Sequence, residues 1–319
     1  MVTVILCSRN GEAYIEKQID SILSQSVNGL CLYVYDDAST DSTPEILKRY
    51  AEKYPEKVHI TLREKPTGSS AANFLSAIKE APKSDYYMLS DQDDVWHRGK
   101  AFKMVNSIYT KERTSGSDKP LMIFSDAKVV DDNLNEICPS FVKFADLSPE
   151  RVDFNHLLLQ NQVTGAAGIF NYALKGLIEA YPTPEKPAMH DHWMAILCSA
   201  FGEISYIDEC LYDYRQHGDN VLGAKKASFI GETARRLGLG KESKSEIDAI
   251  TKAEFARVYS QAGEFLRIYS DKLTDKQKEA CAAMADIPNK NKLGRVSTVL
   301  KYHFTFNNFY RFVGELIFI

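Results

Sequence analysis

Three carboxylates fall within four residues at Asp91-Gln92-Asp93-Asp94. Like charges at that density repel, so a cation or a set of hydrogen-bond donors must offset them. Hard oxygen ligands suit Mg2+ or Mn2+, with water and substrate phosphates completing the coordination shell. The plainer alternative is an acidic solvated loop or a helix cap. A second acidic run, Asp36-Asp37-Ala38-Ser39-Thr40-Asp41-Ser42-Thr43, also follows an apolar stretch. An aspartate at a strand's end can accept from the imide N–H of uracil or thymine, while Ser39, Asp41 or Ser42 can cap the helix that follows.

Two further constellations lie downstream. In His190-Asp191-His192-Trp193 a carboxylate sits between two imidazoles and beside an indole. It can act as a general base next to an apolar sugar platform, or as a helix cap beside a half-buried tryptophan. His-x-His has no partner elsewhere at zinc-ligand spacing. In Tyr212-Asp213-Tyr214-Arg215-Gln216-His217-Gly218-Asp219-Asn220 an arginine and a histidine can grip a diphosphate or ligate a metal, or the histidine can be structural. No G-x-G-x-x-G or Walker loop is present; Gly238-Leu239-Gly240-Lys241 lacks the spacing.

The elements that must position these groups read as alternating strands and helices. Val2–Cys7, Leu30–Tyr35, Val58–Leu62 and Tyr86–Leu89 are short apolar runs that read as strands, and Leu121–Phe124 begins another. Helices fill the gaps. Tyr14, Ile15, Ile19, Ile22 and Leu23 recur at helical spacing, as do Ile46, Leu47, Tyr50 and Tyr54, and Ala71–Ala81 continues the alternation. This pattern predicts an α/β fold with a mostly parallel sheet flanked by helices, in which ligands bind at the carboxyl ends of the strands. Those ends carry Asp37 and Asp91–Asp94. Farther on, a helix at Phe154–Gln160, a strand at Gly165–Phe170, a helix from near His190, a loop around Tyr212–Asn220 and a helix over Ser245–Leu273 are expected.

The chain has 319 residues, 44% hydrophobic and 26% charged, with a net charge of −4. Such a charge is too mild to argue for nucleic-acid binding. Residues 223–319 hold 17 Lys+Arg against 11 Asp+Glu, a net of +6, so residues 1–222, with 22 basic and 32 acidic, carry −10. This change divides the chain into two chemically different parts, an acidic region, 1–222, and a basic helical region, 223–319. Six scattered cysteines without C-x-x-C pairs suit a reducing compartment. With no apolar stretch of about 18 residues to span a membrane and no signal segment, a cytoplasmic location is expected.

Taken in order, the Ser8–Gly11 opening, the Asp36–Thr43 run, the Asp91–Asp94 run and His190–Trp193 resemble the family 2 glycosyltransferases of GT-A fold. Ser90–Trp96, His190–Trp193 and Tyr214–His217 look like the branch of bacterial rhamnosyltransferases that build cell-wall or capsular polysaccharide. Arg9 stands where an aromatic residue is commoner, and Arg98-Gly99 where a proline is usual. The resemblance covers about residues 2–222. It implies Asp191 as catalytic base and Asp93, with His217, as contacts for Mg2+ or Mn2+. Ser8, Arg9, Asn10, Glu12, Asp37, Asn73, Asp91, Trp193 and Arg215 are then the nucleotide-sugar-binding set. Of these, Asp37 holds the pyrimidine, Asp91 touches the ribose or donor sugar, Arg9 serves a phosphate and Trp193 lines the sugar pocket. The implied donor is dTDP-rhamnose, or alternatively a UDP-sugar, and the implied acceptor is a lipid-linked oligosaccharide.

A sugar nucleotidyltransferase would need a Gly-rich, Arg/Lys-bearing loop near the N-terminus, of which Ser8-Arg9-Asn10-Gly11 is a poor version. An inactive sugar-binding scaffold would have lost Asp93 or Asp191, and both are present. Residues 287–319 combine Lys290, Lys292, Arg295, Lys301 and Arg311 with Phe304, Phe306, Phe309, Tyr310, Phe312, Leu316, Ile317, Phe318 and Ile319. Such a segment suits either peripheral contact with an anionic membrane or packing on the catalytic region or on a second subunit in a homodimer.

Overall fold

The structure, a computed structural model, describes residues 1–185, 187–217 and 244–307, with side chains described from residue 252 onward in the last stretch. The boundary expected at 222/223 and the apolar tail from residue 308 lie outside the described residues. The chain opens with β1 (Val2–Ser8), α1 (Ile15–Leu23), β2 (Leu30–Asp36), α2 (Thr43–Lys53), β3 (Val58–Leu62), α3 (Ser70–Glu80) and β4 (Tyr86–Asp91). All seven residues of β1 are buried, as a strand must be when helices cover both sheet faces. In α1 the buried positions are Ile15, Gln18, Ile19 and Ile22, one stripe at helical period.

Next come β5 (Val95–Trp96), α4 (Lys100–Ser115), β6 (Leu121–Val130), β7 (Glu136–Cys138), α5 (Phe141–Ala145), α6 (Phe154–Leu159), β8 (Gly168–Asn171), α7 (Tyr172–Ala180), α8 (His190–Phe201) and β9 (Glu203–Arg215). The sheet order is β3-β2-β1-β4-β8-β6-β9-β5, with β7 on β6. Strands β3, β2, β1 and β4 run parallel. Beyond them the sheet is mixed: β8 is antiparallel to β4 and to β6, β9 is parallel to β6, and β5 is antiparallel to β9.

Two local expectations are corrected. Gly165–Ala167 is a 3-10 turn, and the strand begins only at Gly168. Tyr212–Arg215, expected in a loop, ends the long strand β9; residues 218–220 lie outside the described residues.

Helices α9 (Lys244–Tyr269), α10 (Asp275–Ala285) and α11 (Lys292–Tyr302) follow. Phe265, fully buried, packs edge-on to Trp193 of α8 with ring centroids 5.3 Å apart. Phe304 is also fully buried, and Arg151 donates to the carbonyl of Phe306 at 2.8 Å and to Thr305 Oγ1 at 2.6 Å. The described part of the basic tail therefore packs on the preceding α/β region. All six cysteines are free thiols. Among the described residues no helix is long and apolar enough to cross a membrane.

Candidate active site

The parallel register sets Cys7 beside Asp91 and Ser8 beside Asp36, so the carboxyl ends of β1, β2 and β4 lie side by side. The loops leaving β1 and β2 are fastened to each other. Ser8 Oγ donates to Asp36 Oδ1 at 2.9 Å, and the backbone N–H of Asn10 donates to Ser39 Oγ at 2.8 Å. In return Thr40 N–H donates to Asn10 Oδ1 at 2.9 Å and Ser42 N–H to Glu12 Oε2 at 2.8 Å. Ser8, Asn10 and Glu12 thus shape the loops. Asn73 is buried, donating to the Tyr35 carbonyl at 3.2 Å and accepting from Arg63 Nε at 3.1 Å. Asp37 accepts from Thr67 N–H at 2.7 Å and from Thr67 Oγ1 at 3.1 Å. The half-exposed Arg9 guanidinium lies 3.9 Å from Asp37. Ala38 has φ +58°, a conformation that costs an alanine about 1 kcal/mol and that the surrounding network holds in place.

Gln92 joins these loops to the acidic run. Its Oε1 accepts from Arg9 N–H at 2.8 Å and its Nε2 donates to the Arg9 carbonyl at 3.0 Å. A Cβ on Gly11 would come within 2.3 Å of Gln92 Oε1, so glycine there permits the approach. On the other side, pairing of Val95 with Asp213 and Trp96 with Tyr212 brings the end of β9 against Asp93 and Asp94. The buried Arg215 donates from its backbone to Asp94 Oδ1 at 3.2 Å, from Nε to the Asp93 carbonyl at 2.7 Å, and from Nη1 to the Asp132 carbonyl. It braces the acidic loop. His217 Nε2 lies 2.7 Å from Asp93 Oδ2. Tyr14 stacks on the His217 ring at 4.8 Å, lies under the Arg215 guanidinium at 4.8 Å, and donates from its hydroxyl to Asp132 Oδ1 at 3.1 Å.

The residues His190 to Trp193 form the first turn of α8 and point in four directions. His190 stacks on Phe74 of α3, ring centroids 4.0 Å apart. His192 Nε2 meets the Leu157 carbonyl at 2.6 Å and its Nδ1 meets Gln261 Nε2 at 3.2 Å; that pairing fits a neutral ring protonated at Nε2. Burial pushes His190 down to about 3 and His192 down to about 4. Trp193, 1% exposed, faces Phe265 and Tyr269. The expectation that Trp193 lines a sugar pocket is therefore corrected. At 100° per residue it stands about 200° around the helix from Asp191 and belongs to the packing against α9.

Asp191 faces the acidic cluster. Its Oδ2 accepts from Gly165 N–H at 3.0 Å and its Oδ1 from His192 N–H at 2.6 Å. Burial pushes it up to about 6, against the pull of those N–H groups and of the Asn161 side chain. Its place in the first turn of α8 also favours the carboxylate through the helix dipole.

Burial, then Asp93 and Asp191, push Asp91 up to about 7. Burial, Asp93 and Asp91 push Asp94 well above the carboxylate range, and Asp94 Oδ2 is buried without a hydrogen-bond partner. The four carboxylates all act on Tyr214 of β9. The last residue of β4, two of the loop that follows and one from α8 thus gather negative charge at one place. Among the described residues no group of three or more His, Cys, Asp or Glu is already gathered as a metal cage. A carboxylate with an imidazole against it, and an orphaned carboxylate oxygen beside it, still fit a cation that takes its remaining ligands from water and phosphate. The sequence reading missed Gln92, Tyr14 and Lys100. Gln92 is flanked by more conspicuous aspartates, Tyr14 counts there only as a helix position, and nothing local marks a lysine as buried.

The family described as Glycosyl transferase family 2 matches residues 3–145. The chain is 26% identical over 261 residues to dTDP-rhamnosyl transferase RfbG of Shigella flexneri, spanning 78% of this chain and 84% of that protein. It is 26% identical over 245 residues to the putative teichuronic acid biosynthesis glycosyltransferase TuaG of Bacillus subtilis, spanning 74% of this chain and 89% of that protein. The crystal structure of S. aureus TarS 1-349 in complex with UDP matches with a TM-score of 0.54 at 15% identity, over 94% of this chain and 89% of that one. That likeness shows the GT-A-like fold.

Replacing Gln92 by alanine removes both of its bonds to the Arg9 backbone. We expect a loss of about 1 kcal/mol of stability in urea denaturation; an unchanged midpoint would mean that Gln92 does not tie the loops together.

Proposed function

Residues 3–145 form a glycosyl transferase family 2 domain, and from that premise we propose that the chain is an inverting, metal-assisted enzyme of bacterial polysaccharide biosynthesis. In this reading it transfers L-rhamnose from dTDP-rhamnose to a hydroxyl of a lipid-linked glycan. The observation that supports it is geometric: Asp191, at the start of α8, accepts from the Gly165 N–H at 3.0 Å, in the turn that leads into β8, and β8 pairs with β4, the strand that ends at Asp91. In this reading the base and the donor-side carboxylates share one site. The similarity to RfbG of Shigella flexneri supports rhamnose, and the similarity to TuaG of Bacillus subtilis supports a role in wall polysaccharide.

Asp37, at the strand edge, receives the pyrimidine, and the exposed guanidinium of Arg9 beside it receives a phosphate. Asp91 faces the ribose and donor sugar. Asp93, with His217 against it, would hold a Mg2+ or Mn2+ that neutralises charge gathering on the departing diphosphate. Asp191 takes the proton of the acceptor hydroxyl as its oxygen attacks the anomeric carbon. The bond to the diphosphate oxygen breaks on the opposite face, which inverts the centre without a covalent intermediate. A partner membrane suits the lipid-linked acceptor: α11 exposes Leu293 and Leu300 together with Lys292 and Lys301.

Nucleotide release from a panel of dTDP- and UDP-sugars tests the donor. Turnover of dTDP-rhamnose above the rest is expected, and a preference for a UDP-hexose would replace rhamnose. The base is tested separately. Asp191→Asn keeps donor binding and loses about 100-fold or more in kcat. Because the carboxylate must be ionised to accept a proton, wild-type kcat falls below pH about 6 and levels off above it. A variant with wild-type turnover, or a flat profile through pH 5, would remove Asp191 from the role.

A further inference from the structure

Lys100 opens α4, and its side chain is wholly buried. Its ammonium donates to the Ala166 carbonyl at 2.5 Å and lies 4.3 and 4.1 Å from the ring centroids of Trp96 and Tyr212. Asp94 and Asp91 attract it, while burial draws it down to about 7. A buried ammonium costs several kcal/mol in lost hydration, and a long aliphatic side chain would fill the same aromatic box without that cost. What distinguishes lysine here is the bond it makes.

Ala166 is the central residue of the turn Gly165–Ala167. The first residue of that turn gives its N–H to Asp191 Oδ2 at 3.0 Å. A Cβ at Gly165 would come within 2.6 Å of His190 Nε2, so the turn is seated directly against the start of α8. Nothing in the sequence of the turn, Gly165-Ala166-Ala167, supplies a side-chain anchor of its own.

We infer that Lys100 is a positioning residue for the reaction: by holding the Ala166 carbonyl it fixes the Gly165 N–H against Asp191 and keeps the base-bearing helix in register with the acidic end of β4. The inference rests on the reading of Asp191 as the base. Asp91 from β4 and Tyr214 from β9 are the titratable groups that feel Asp191, while His190 and His192 on its own helix turn away to Phe74 and to Leu157 with Gln261. Lys100 reaches it through the turn and is not a direct partner. The Gly165 N–H is one of the bonds that lower Asp191, so loosening the turn raises the carboxyl.

The test compares Lys100→Met, which nearly keeps the volume of the side chain and removes its donor, with wild type and Asp191→Asn. Lys100→Met should bind nucleoside diphosphate within about threefold of wild type and lose about tenfold or more in kcat, with donor KM little changed. The acid limb of kcat should move upward from about 6, and amide exchange at Gly165–Ala167 should accelerate. Two results would overturn the inference. One is wild-type kcat, acid limb and exchange. The other is weakened nucleotide binding with those three unchanged, which would make Lys100 only a counter-ion for Asp91 and Asp94. Should Lys100→Met fail to fold, Lys100→Leu, which also lacks a donor, carries the same comparison. Wild-type turnover in Asp191→Asn would instead defeat the base assignment, whatever the lysine variants do.

Discussion

Buried carboxylates repel: after burial, Asp93 and Asp191 raise Asp91, Asp93 and Asp91 raise Asp94, and all four act on Tyr214. Among the described residues the fold sets against them the wholly buried ammonium of Lys100, itself drawn down by burial, and the buried guanidinium of Arg215. A site of this kind is stable only while its loops are held from outside, and it gains most when a divalent ion and a diphosphate arrive together. The surrounding architecture meets the first condition. Gln92 holds the acidic run to the β1–α1 loop, Arg215 braces it from β9, and Tyr14 stacks between the Arg215 guanidinium and the imidazole of His217.

The placement of Asp191 follows from helix geometry. Four consecutive residues at the start of α8 leave the axis about 100° apart, so His190, His192 and Trp193 are taken up by Phe74, by Leu157 with Gln261, and by Phe265 with Tyr269. Only Asp191 is left facing the sheet end. Burial of its neighbours makes the turn rigid, and burial of Asp191 itself raises its basicity towards the range in which a carboxylate accepts protons usefully near neutrality. Packing and the proposed base here draw on one four-residue segment.

Strands β1 to β4 and helices α1 to α3 were legible because each is a short apolar run or a clean helical stripe, and the acidic clusters stood at their ends. Helix α4 was not legible. It buries Lys100 and exposes Phe102 and Tyr109, reversing the hydropathy on which periodicity depends. Strand β9 carries mostly half-buried residues along its first part, so it lacks the alternation that marks a strand. Trp193 follows helix geometry: two positions along a helix separate faces, so a tryptophan two residues after Asp191 turns into the packing against Phe265 and Tyr269. The roles of Gln92 and Arg215 could not be read, since both depend on backbone atoms distant in the chain.

The central claim is that Asp93 and its neighbours form one site for a cation and a nucleoside diphosphate together. Titrating Mn2+ into the protein and following the free ion by electron paramagnetic resonance, with and without dTDP or UDP, tests it most directly. The account predicts about one Mn2+ bound per chain, tightly only when nucleotide is present, and loss of that binding in Asp93→Asn. Equal Mn2+ binding by Asp93→Asn and wild type, or no effect of nucleotide, would contradict it.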